Sequence, residues 1–183
     1  MHTPPFNTLD QGVGHFTIYE DGSEDDPWSV LRKYAAVGIV EFWDMRGHPQ
    51  AGSFGFQLSN LNACFTDLRA RHAELGLHWL LFTDVDEFVL SNHKDELLTD
   101  LLNEEYRDAA CMEVARTFYG TSFCHKRPPQ GLVTETYLLA SPDYADGYPQ
   151  KMLANIYSEG GGFSQNATQL HSVHDFNDQA DIP

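Results

Sequence analysis

Residues 79–88 read Trp-Leu-Leu-Phe-Thr-Asp-Val-Asp-Glu-Phe, an apolar run of strand length that delivers Asp84, Asp86 and Glu87 at its end. A run without polar interruption suits a strand covered on both faces, which calls for a layer on either side of a sheet. In open α/β sheets, ligands bind beyond the carboxyl ends of the strands, where this strand leaves its acids. Residues i and i+2 of an extended segment point to the same side, so Asp84 and Asp86 can together grip a hard divalent cation and, through it, a phosphate-bearing ligand. The bland alternative is a buried strand that ends in acidic turn residues, because Asp favours turns and helix N-caps. In a chain with 27 acidic residues an Asp-x-Asp triplet alone does not decide between the two, and the flanking sequence must.

Ahead of it, residues 1–14 are polar and Pro-containing and read as an irregular arm. Residues 15–19 alternate and are rich in β-formers, and they run into the acidic turn from Glu20 to Asp26. Pro27 can open a helix with Asp26 as its N-cap; Trp28, Val30, Leu31, Tyr34 and Ala35 keep helical spacing, Gly38 closes it, and residues 39–43 form the next strand. This is one β-α-β unit. After a loop at 46–55, Leu58, Leu61, Cys64, Phe65, Leu68 and Ala70 recur at helical intervals up to Leu75, with Gly76 as the stop.

Behind it, Asp95, Leu97, Leu98, Leu101 and Leu102 predict a short amphipathic helix, and residues 110–115, 133–139 and 151–156 predict strands. The reading is one domain over 12–176, with an arm at 1–11 and a tail at 177–183, and with no internal repeat.

A net charge of −16 removes the basic footprint that a phosphate-backbone binder needs, which excludes nucleic acid, and it disfavours anionic membrane surfaces. A bound divalent cation reconciles such a chain with an anionic nucleotide, because the metal inverts the local charge. No stretch is long enough to span a membrane. Cys64, Cys111 and Cys124 are widely spaced, without a zinc pattern, and read as buried apolar residues.

The order of several motifs, "HFTIYEDGSEDD", "HWLLFTDVDEFVL", "FYGTSF" and "GLVTETYL", resembles glycosyltransferase family 92 and the related family 2-like proteins of the GT-A fold. The resemblance implies an α/β fold: a three-layer α/β/α sandwich of the nucleotide-diphospho-sugar transferase type with a mostly parallel central sheet. Because that fold normally begins with a strand and helix ahead of the segment starting here at Gly12, it also implies an N-terminally truncated chain. The implied activity is metal-dependent, inverting transfer of a hexose, galactose in many family members, from a nucleotide diphosphate sugar such as a UDP-sugar to a glycan or other hydroxyl acceptor. The family setting is the Golgi or another membrane-associated compartment.

Carried over residue by residue, Asp84 and Asp86 fall on the metal-binding motif, with Asp84 also on the nucleotide-sugar side. Glu20 and Asp21 fall on a nucleoside-contacting turn and Lys151 on a basic donor-binding position. His171 or His174 falls on a late metal-binding histidine, with His174 taken for the metal and His171, like Glu87, for a supporting role. Carboxylate oxygens suit Mn²⁺ or Mg²⁺. Inversion needs a general base for the acceptor hydroxyl, and Glu135, Asp143 and Asp146 are the candidates, between which spacing does not choose. Trp43, Tyr119 and Tyr148 could stack on sugar rings or belong to the core. The rival expectation is a shortened, inactive relative that binds only a metal or a carbohydrate.

Overall fold

The computed structural model describes residues 9–91, 96–126, 132–141, 151–156, 170–172 and 175–176. The β-α-β unit forms as predicted. Strand β1 (Phe16–Glu20) and strand β2 (Val40–Asp44) pair in parallel, Phe16 opposite Val40 through to Glu20 opposite Asp44, with helix α1 (Trp28–Ala35) between them in the chain. Paired residues share a face, so Ile18 and Phe42 lie together, and Trp28 of α1 packs on Phe42 with ring centroids 5.3 Å apart. The carboxylate of Asp26 accepts from Ser29 N–H at 3.3 Å, which gives α1 the cap its sequence announced.

The opposite face of the pair carries Thr17, Tyr19, Glu41 and Trp43, and helix α2 (Phe54–Leu75) meets it. Arg71 of α2 donates to Glu41 at 2.7 Å and to Asp67, one turn back on its own helix, at 2.8 Å. Ser53 caps α2 by accepting from Phe56 N–H at 3.2 Å, and Gly76 ends it at φ 65°, a left-handed conformation that glycine adopts without strain. The loop expected at 46–55 holds to residue 53; α2 begins one turn earlier than the apolar spacing suggested.

Phe65, 1% exposed, points from α2 into a second sheet, where it meets Ala154 and Ile156 along with Leu80 and Phe82. That sheet contains strands β3 (Trp79–Leu81), β4 (Cys111–Val114) and β5 (Lys151–Asn155), in the order β3-β5-β4 and antiparallel throughout. Its far face is covered by helix α3 (Leu98–Glu104). Leu98 and Leu102 of α3 pack with Leu153 against Trp79, Leu81, Met112 and Val114. The apolar run around β3 is therefore covered on both faces, as its composition requires: Leu80 and Phe82 face α2, while Trp79 and Leu81 face α3. Gly12, at φ 87°, lies so close to α3 that a Cβ there would collide with Thr99.

Four expectations change. The described strands form one parallel pair and one antiparallel triplet, with a further antiparallel pair, β6 (Leu170–Ser172) with β7 (Asp175–Phe176), where a single mostly parallel central sheet was expected. The run was expected to stay extended over 79–84, and β3 ends at Leu81, as the chain goes on to close a turn at 84–87 in which Glu87 N–H donates to Asp84 O at 3.1 Å. Residues 133–136 are a helical turn, α4 (Val133–Thr136), where a strand was predicted. The Glu135 carboxylate accepts from Leu132 N–H at 3.1 Å and Thr136 Oγ1 donates to Leu132 O at 2.9 Å, so local side-chain bonds override the β-propensity of Val, Thr and Tyr. Of the cysteines only Cys64 is buried; Cys111 is exposed and Cys124 intermediate, and all three are free thiols.

Candidate functional site

The register of the antiparallel sheet places the charged groups. Leu81 pairs with Leu153, so Lys151 comes level with Thr83 at the mouth of the 84–87 turn, and Val114 pairs with Lys151 from the other side. Arg116, two residues past Val114, continues the same alternation. Three chain segments far apart in sequence thus deliver Asp84, Glu87, Arg116 and Lys151 to one end of the sheet.

Glu87 is the hub. Its Oε1 accepts from Arg116 at 2.8 Å, and its Oε2 accepts from Lys151 Nζ at 2.9 Å, Asp84 N–H at 2.9 Å and Thr83 Oγ1 at 3.0 Å. Burial opposes ionisation of Glu87, but the Asp84 amide and the Lys151 ammonium outweigh it and hold the carboxyl below its ordinary range. Lys151 also reaches Asp84 Oδ2 at 3.2 Å. The Lys151 side chain is 8% exposed and that of Glu87 19%, against 55% for Asp84, so the cluster grades from a fixed interior to an accessible rim. Asp86 stands exposed on the same turn, and among the described residues its carboxylate makes no hydrogen bond or ion pair. Arg116 lies over the Phe118 ring at 5.3 Å.

Among the described residues, the three carboxylates of the turn, Asp84, Asp86 and Glu87, and the two cations paired with Asp84 and Glu87, Lys151 and Arg116, sum to one net negative charge. Such a site attracts a cation and repels a bare phosphate. Its donors are hard carboxylate oxygens, which suit Mg²⁺ or Mn²⁺, and Asp84 already holds a positive group where a metal would bind. Among the described residues no three His, Cys, Asp or Glu side chains gather into a closed metal cage. The arrangement fits an open site of one or two carboxylates that leaves coordination positions for a ligand's phosphates.

The first acidic turn is built differently. Glu20, 5% exposed, accepts from Gly22 N–H at 2.7 Å, from Ser23 N–H and from Ser23 Oγ at 2.7 Å, so both oxygens serve its own turn. Asp21 is exposed, and it accepts from Gly52 N–H at 2.7 Å, tying the end of β1 to the loop before α2. Burial pushes the Glu20 carboxyl up, and the Ser23 and Gly22 hydrogen bonds overcome it to hold the group below its ordinary range.

Glu20 and Glu87 give the chain an acid-sensitive stability. Both titrate lower in the folded chain than the ordinary 4.5, so the unfolded chain binds more protons in this window. Their stabilisation is complete above that value and is lost as pH falls through the folded values. Urea midpoints should therefore drop steeply below pH ~4.5. The gap between the wild type and Glu20→Gln should narrow over the same range; a gap that is the same at pH 7 and pH 4 would refute the assignment for Glu20.

Glu135 is exposed and caps α4. His171 belongs to β6, while Asp143, Asp146 and His174 lie outside the described residues, as does Tyr148. Trp43, half exposed, stacks on Tyr19 at 6.4 Å, and Tyr119 is exposed beside the Tyr119–Ala140 bridge. Two members of the cluster escaped the sequence reading: Arg116 and Thr83. The alternation of β4 was the available signal for Arg116, since it continues the Met112 and Val114 face.

Compared with known proteins, residues 9–130, about two thirds of the chain, match the profile described as Glycosyltransferase family 92. The matched segment contains the 84–87 turn and Arg116, while Lys151 lies beyond it. No curated protein and no solved structure matches.

Proposed function

Since this chain belongs to glycosyltransferase family 92, we propose that it transfers a hexose from a nucleoside diphosphate donor to a hydroxyl acceptor, using the 84–87 turn as the donor site. The observation that carries the proposal is the net negative cluster with two exposed carboxylates at its rim, Asp84 and Asp86, backed by a buried lysine.

Asp84 and Asp86 would hold a divalent cation there. When bound, the cation supplies Lewis-acid stabilisation of the departing diphosphate. Every other contribution comes from the chain. Glu87 fixes the turn through four donors, so that Asp84 and Asp86 are presented from a rigid frame. Lys151 and Arg116 bring positive charge to within reach of phosphate oxygens, and Phe118 backs Arg116. Asp21, at the exposed end of β1, is the better candidate of its pair for a nucleoside hydroxyl, because Glu20 serves its own turn. In an inverting reaction Asp143 or Asp146 would take the acceptor proton, as Glu135 already caps a helix. Galactose is the first sugar to test.

A donor screen tests this reading. With Mn²⁺ present, the chain should hydrolyse or transfer from at least one UDP-sugar, and excess EDTA should abolish turnover. If no nucleotide sugar binds or turns over with any divalent metal, the non-catalytic reading of the chain stands instead.

A further inference from the structure

Lys151 holds two carboxylates that are unequal. Glu87 is the inner one, 19% exposed, 2.9 Å away and shared with Arg116, Thr83 and the Asp84 amide. Asp84 is the outer one, 55% exposed and 3.2 Å away. An exposed ion pair is weak because water solvates its partners nearly as well, whereas a buried cation deprived of its counter-ion is strongly penalised. Lys151 can therefore release Asp84 cheaply and cannot release Glu87.

Resting on the donor-site reading above, we propose that Lys151 is an exchangeable counter-ion. It pairs with Asp84, yields Asp84 to an incoming divalent cation, and turns the freed N–H donor to the phosphate that arrives with it.

The charge balance follows the same order. By themselves the described side chains of the cluster are net negative by one. A divalent cation makes it net positive by one, and the two negative charges of a nucleotide-sugar diphosphate return it to net negative by one. The lysine ammonium has three N–H donors, of which Glu87 and Asp84 engage two. Among the described residues, giving up Asp84 leaves two donors for phosphate oxygens while the tie to Glu87 keeps Nζ in place. The cation and Lys151 compete for Asp84, yet both attract the diphosphate, so metal and nucleotide should respond to Lys151 with opposite signs.

Lys151→Met should bind Mn²⁺ alone about two- to fivefold more tightly, because the competing ammonium is gone. The same variant should bind UDP, at saturating Mn²⁺, about tenfold more weakly, because a charge-assisted donor is lost. A merely structural role would move both affinities in one direction. The wild type gives an independent reading that needs no folded variant. Of the four lysines, Lys33, Lys94, Lys126 and Lys151, the ¹³Cε resonance of Lys151 is identified by Lys→Arg replacement of the other three. It should shift on addition of Mg²⁺ and shift again on addition of UDP. Unchanged or weaker Mn²⁺ binding by Lys151→Met overturns the exchange, as does a Lys151 resonance that ignores Mg²⁺. A wild-type chain that binds neither Mn²⁺ nor UDP overturns the donor-site reading itself, and with it the exchange.

Discussion

Asp86→Ala should lower sugar transfer by about 10²- to 10³-fold and leave the fold unchanged. The size comes from losing a carboxylate that would hold the charge-stabilising cation, an interaction most valuable when the diphosphate departs. The harmlessness comes from its surroundings: Asp86 is exposed and, among the described residues, bonds to nothing, so its removal leaves no unpaired group. Replacement at such a position shifts stability by no more than about 0.5 kcal/mol. Turnover with the donor that the screen identifies, together with a thermal unfolding curve, measures both halves. Full turnover in this variant would remove the metal assignment from the 84–87 turn.

Glu87→Ala should behave in the opposite way, failing first as a folded protein. Among the described residues the substitution leaves Lys151, 8% exposed, with the rim residue Asp84 alone, removes one partner of Arg116, and takes an acceptor from both the Asp84 amide and the Thr83 hydroxyl. Breaking a buried ion pair by deleting one member costs about 3–5 kcal/mol. For a chain of this length that is a fall in the unfolding midpoint of on the order of 10 °C. Glu87→Gln keeps one acceptor and should lose less stability while still disturbing the turn. A Glu87→Ala variant with the wild-type midpoint would show that the cluster does not hold the sheet end together.

The same cluster shows what the sequence revealed and what it concealed. The β-α-β unit was legible because alternation in residues 15–19, helical spacing after Pro27 and the stop at Gly38 all report on neighbours close in the chain. The covering of β3 on both faces was legible from its unbroken apolar run. Strand direction was not: β5 pairs with β3 from some seventy residues away, and an apolar run reads the same whether its partner is parallel or antiparallel. The orientation of Glu20 was hidden for a related reason. Its turn is acidic in sequence, but whether a carboxylate faces a ligand or bends back to its own backbone depends on the local φ and ψ, here with Gly22 at 112°. Residues 133–136 failed because one glutamate in position to bond a backbone N–H outweighed three β-formers. Asp84, Glu87 and Lys151 were each picked from sequence, but their meeting on one carboxylate, and the presence of Arg116 there, required the register of two ladders.

The 84–87 turn should take a nucleoside diphosphate through a divalent cation. Calorimetric titration of UDP into the chain tests it most directly, once with Mn²⁺ and once with EDTA. A single site is expected when Mn²⁺ is present, with binding at least about ten times weaker in EDTA and loss of the metal-dependent component in Asp86→Ala. Equal binding of UDP with and without the metal would contradict it.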